Sequence, residues 1–108
     1  MPEDLAAAVE DECRFEPSRS ETILRLSLEY RAKFAQLLRQ VASEEISAQT
    51  ALEITKTWTD APWGEPEFDH AWHFLGHFDA DQDIRQRDPE FARIQIETLH
   101  RLADRLAR

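Results

Sequence analysis

Residues 88–108, DPEFARIQIETLHRLADRLAR, carry the marks of an α-helix from start to finish. Asp88 offers a carboxylate to the unpaired N–H groups of a first turn. Pro89 suits the first helical position, where its fixed φ is already helical and no N–H is needed. Phe91, Ile94, Leu99, Leu102 and Leu106 then recur at helical spacing, and Arg101, Arg105 and Arg108 stand where positive charge complements the C-terminal dipole.

The same grammar extends upstream. Pro66, with Glu67 and Asp69 behind it, opens a helix through Phe68, Trp72, Leu75 and Phe78 that should stop near Asp79. Ahead of it, Asp60-Ala61-Pro62-Trp63-Gly64-Glu65-Pro66 reads as a loop, with Trp63 expected to anchor it against the core. Ser47 can cap a helix that carries Ala48, Ala51, Leu52, Thr55 and Trp58 on one face. Ser18 and Glu21 have the capping-box form, and Ile23, Leu26, Tyr30, Phe34, Leu37, Leu38 and Val41 follow at spacings of three and four. This predicts a long amphipathic helix over 19–43, whose other face is basic through Arg25, Arg31, Lys33 and Arg39.

Residues 1–18 form an acidic N-terminal arm, in which Pro2, Leu5 and Val9 are compatible with a short additional helix. The expectation is therefore an all-α chain, an antiparallel four-helix bundle over 19–108 preceded by that arm. Its 108 residues suit one domain, and 42% hydrophobic residues are enough for one core. Two glycines in all leave few of the turns that a small β protein needs.

Composition also narrows function. A net charge of −9 argues against nucleic-acid phosphates and anionic membranes as ligands and in favour of a basic protein partner. The single Cys13 forms no internal disulfide, and the absence of a long apolar run points to a reducing, cytoplasmic location. No Ser-His-Asp arrangement, glycine-rich phosphate loop or Cys motif is present, so neither enzymatic activity nor a cofactor is expected.

Three features remain. His70, His73 and His77 lie at spacings of three and four, an arrangement that can bring imidazoles toward a transition metal and supports metal binding as an alternative. Asp79, Asp81, Asp83 and Glu90 imitate calcium-loop spacing, but Ile84 stands where the turn requires glycine, and a helix-joining acidic loop is the simpler reading. Most distinctive is the concentration of acids over 60–90: Asp60, Glu65, Glu67, Asp69, Asp79, Asp81, Asp83, Asp88 and Glu90, against Arg85 and Arg87. With Trp63 they form the candidate partner-binding set, since an acidic array beside an aromatic anchor suits a basic cleft.

Two stretches, FAQLLRQVASEEISAQTALEITKTW (34–58) and FDADQDIRQRDPEFARIQIETLHRL (78–102), resemble the helical family of bacterial colicin-like immunity proteins. In the first, a helix ends in a short acidic turn before an Ile-Ser-Ala helix start. In the second, an aspartate-rich joint precedes the final helix. The resemblance implies a four-helix fold and inhibition of a cognate basic toxin, often a nuclease, by acids that replace nucleic-acid phosphates. It assigns no single acid to a family position. Homo-oligomerisation between the acidic arm and the basic helix is a further alternative, leaving monomer and homodimer both open.

Overall fold

The computed structural model describes residues 23–108, and the acidic arm with its candidate short helix lies outside the described residues. Among the described residues there are five helices and no strand: α1 through 23–42, α2 Ala48–Thr55, α3 Pro66–Ala80, α4 Gln82–Arg87 and α5 Pro89–Leu106.

The helix starts follow the local signals. Ser47 Oγ accepts from the Thr50 N–H at 3.0 Å, and Asp88 Oδ1 accepts from the Phe91 N–H at 3.1 Å. Pro66 and Pro89 each sit in the first turn of their helix. The end of α1 is less ordinary. Glu44 adopts the left-handed conformation with φ 66°. Its N–H donates to the Val41 carbonyl at 3.1 Å, and the Glu45 N–H donates to that of Gln40 at 2.9 Å. This is the helix stop usually served by glycine, and a side chain in that conformation costs about 1 kcal/mol.

The helices alternate in direction. Arg31 of α1 reaches the carbonyls of Arg105 and Leu106, while Val41 lies beside Ala92 and Ile96, so α1 and α5 are antiparallel. Ser27 and Arg31 meet Glu65, and Val41 lies beside Phe78, so α3 runs with α1. Ala48 sits near Phe78 and Trp58 near Phe68, which sets α2 against both. Phe34, Leu38, Phe68, Leu75, Leu99 and Leu106 are fully buried between them. Each such side chain contributes about 1.5–3 kcal/mol through removal from water. The antiparallel helical bundle is as expected, with α4 as an extra element.

Four expectations need correction. The acidic joint after Ala80 is helical, because Gln82–Arg87 closes a turn and a half whose ends bond to Asp81 and Ile84. Trp72 is 39% exposed: Phe68, Ala71, Leu75 and Phe78 fill the core side of α3, and Trp72 falls at its margin. Ile94 is 49% exposed while Gln95 is buried, since Gln95 lies four residues before Leu99 and Ile94 lies five. Ile23 and Leu26 are exposed although they continue the apolar stripe of α1. Ser27 already meets Glu65, the residue before α3, and Arg31 meets the last carbonyls of α5, so the first turn of α1 extends past the ends of both neighbours.

Candidate protein interface

The candidate acids fall into two groups at opposite ends of α3, about 22 Å apart by its 15 residues. Asp60, Glu65, Glu67 and Asp69 gather with Trp63 at its start; Asp79, Asp81, Asp83, Asp88 and Glu90 lie at or beyond its end. They do not form a single acidic wall.

Much of the first group is engaged internally. Arg31 pairs with Glu65 at 3.2 Å and Glu67 at 3.4 Å while donating to the Leu106 and Arg105 carbonyls at 3.3 and 3.2 Å. One guanidinium thus ties α1, the start of α3 and the C-terminal carbonyls of α5 together. Asp69 Oδ1 accepts from the Gly64 N–H at 2.9 Å, which holds the loop at its left-handed glycine, φ 106°. Trp63 anchors the same loop as expected: its indole N–H donates to the Trp58 carbonyl at 2.8 Å, and its ring meets the buried Phe68 edge-on at 4.8 Å. It is nevertheless 40% exposed.

In the second group, three carboxylates also have internal work. Asp88 caps α5, and Glu90 pairs with Arg93, which also reaches Glu97 at 2.6 Å. The hydrogen bond from Arg93 holds the Glu90 carboxyl below the usual carboxylate range. Asp81 accepts from the buried Gln95 amide at 3.0 Å, and Gln95 in turn accepts from Arg85 at 2.8 Å. Arg85 also donates to the Phe78 carbonyl and lies 3.5 Å over the Phe78 ring. Partial burial pushes its pKa down, against the opposing pull of Asp81 and Asp79.

Among the described residues, the carboxylates of Asp60, Asp79 and Asp83 have no hydrogen bond or ion pair. Asp79 lines a cleft of about 470 Å³ between the α1–α2 turn, the end of α3 and α4. Glu44 and Glu45 share its wall, over a floor that includes Val41, Phe78 and Ile96. Neither Glu44 nor Glu45 belongs to the acidic set that the sequence marks over 60–90. The available signal was an acidic pair where a helix had to stop and no glycine was present.

His70, His73 and His77 are exposed on α3, and His73 packs edge-on against Trp72 at 5.4 Å. No group of three or more His, Cys, Asp or Glu among the described residues is placed to hold a metal ion, so the convergence invited by the spacing is not formed. No helix among the described residues is long and apolar enough to cross a membrane. Comparison with protein-family models, curated proteins and solved structures finds no significant match.

Proposed function

We propose that this chain is a non-enzymatic, cytoplasmic binding protein whose acidic corner engages a basic protein partner, in the manner of an immunity-type inhibitor covering a toxin's nucleic-acid cleft. The observation that supports it is the cleft where Glu44, Glu45 and Asp79 stand around an apolar floor and outnumber the one cation of its lining, Arg85, with Asp83 on the adjoining α4. Exposed carboxylates not held in ion pairs accelerate encounter with a basic surface, Glu45 being bonded only by the Ser43 hydroxyl at 2.9 Å, and the apolar floor supplies area to bury once contact is made. The net charge of −9 adds long-range attraction of the same sign.

The test is co-expression with the product of the neighbouring reading frame. That product alone should arrest growth, and this chain should relieve the arrest and co-purify with it. Replacing Glu44, Glu45, Asp79 and Asp83 by their amides should abolish relief. A harmless neighbour, or relief unaffected by the four changes, removes the proposal.

Self-association is a second reading, favoured by the exposed Ile23, Leu24, Leu26 and Leu28 on α1. Sizing at two salt concentrations tests it: a monomer at both rules it out.

A further inference from the structure

All three tryptophans of the chain, Trp58, Trp63 and Trp72, line a second cleft of about 480 Å³ together with Asp69, Lys56 and His73. It lies at the start of α3, away from the acidic corner. Trp63 and Trp72 form perpendicular walls, with ring centroids 6.3 Å apart and planes at 80°. Both remain substantially exposed, at 40% and 39%. Two large aromatics left in water beside a cleft need a reason, because burying them within the bundle would have been favourable.

The Trp63 wall and the carboxylate are held in place before any ligand arrives. Trp63 is fixed by its bond to the Trp58 carbonyl and by Phe68 beneath it, and Asp69 by its bond from Gly64. Indole faces attract cations through their quadrupole, and a carboxylate at the same cleft adds charge of the matching sign. Two other ionisable groups line the cleft. The Lys56 ammonium is held by Glu53 at 3.0 Å, and His73 lies edge-on to Trp72. Among the described residues Asp69 is the carboxylate that lines the cleft, and only one of its two oxygens is taken by the Gly64 N–H.

We infer that this cleft receives an arginine side chain of the basic partner, its guanidinium stacked on the Trp63–Trp72 walls and bonded to Asp69. The inference rests on the proposed function for the identity of the partner, but not for the chemistry of the cleft. Guanidinium suits the cleft better than ammonium because it is planar, stacks on indole and presents a fork of N–H donors to a carboxylate.

The experiment is a titration of the isotope-labelled full chain with acetyl-Gly-Arg-Gly-amide, read at the three indole N–H resonances. The matching citrulline peptide, the same shape without the charge, is the control. The Trp63 and Trp72 resonances should move with the arginine peptide and much less with citrulline. Trp72→Leu should weaken the arginine peptide about fivefold. Asp69→Asn, which keeps an oxygen for the Gly64 N–H, should weaken it without unfolding the loop. Equal shifts with both peptides would make the cleft a merely apolar groove and overturn the inference, as would no shift with either. Because the titration uses no partner, its failure leaves the acidic corner as it stood. A positive titration in a chain that binds no basic partner would instead remove the proposed function and leave the arginine site in place.

Discussion

The two ends of α3 carry similar charge and put it to different uses. At its start, Glu65 and Glu67 are drawn onto Arg31, and Asp69 holds the loop that contains Gly64. At its end, the carboxylates of Asp79 and Asp83 are free among the described residues, and Asp79 shares a cleft with Glu44 and Glu45. An acid count along the chain treats these ends as equivalent. A carboxylate that already satisfies a guanidinium or an N–H has less potential to offer a partner, so the far end is the broader electrostatic surface, and the start of α3 keeps the second oxygen of Asp69 for a single cation.

If the start of α3 is structural, the largest effect should come from Arg31→Ala. It removes two ion pairs and two bonds to α5 carbonyls, and should lower stability by about 2–3 kcal/mol. Urea denaturation measures this, and a change within about 0.5 kcal/mol would erase the distinction between the ends. The next effect concerns the partner. Replacing Glu44, Glu45, Asp79 and Asp83 by their amides should leave Tm nearly unchanged and slow association about tenfold at low salt. The deficit should shrink as ionic strength rises. Stopped-flow rates at several salt concentrations would show it, and a salt-independent rate in the parent chain would contradict steering.

Glu44→Gly sharpens the comparison, since it relieves the left-handed strain and removes a corner carboxylate together. Stability should rise by about 0.5–1 kcal/mol, offset in part by the greater freedom of glycine in the unfolded chain, while partner binding weakens. Thermal melts set beside binding would separate the two. A destabilised variant would mean that the Glu44 side chain supports the turn.

The smallest effect is expected from Glu90, exposed and paired with Arg93. Its folded pKa lies below the ordinary carboxylate value. The stability it adds is therefore complete above that ordinary value and is lost as pH falls through its own lower one. Glu90→Gln should differ slightly from the parent at neutral pH and converge with it in acid, in parallel melts. A gap that persists in strong acid would assign the effect to something other than this pair.

Much of the fold was legible because its signals are local. Ser47 and Asp88 cap the helices they precede, and Pro66 and Pro89 open theirs. The misses fell where a neighbour distant in the chain decides. Gln95 enters the core because Asp81 and Arg85 satisfy its amide, which periodicity in apolar residues has no means of registering. Ile23 and Leu26 carry the correct spacing, but spacing does not reveal that α3 begins and α5 ends level with Ser27 and Arg31. In the candidate site, the acid-rich region was visible, whereas the contribution of Glu44 and Glu45 was not, since it depends on where the α1–α2 turn meets α3 and α4.

Where most of the helices start follows from bonds made within about four residues, so the amino-acid order shows it alone, with α4 as the exception. Which carboxylates stay free does not, because Arg31 finds Glu65 across 34 positions and Glu67 across 36. Only the packed bundle sets that distance, and with it the line between acids that hold the molecule together and acids that face outward.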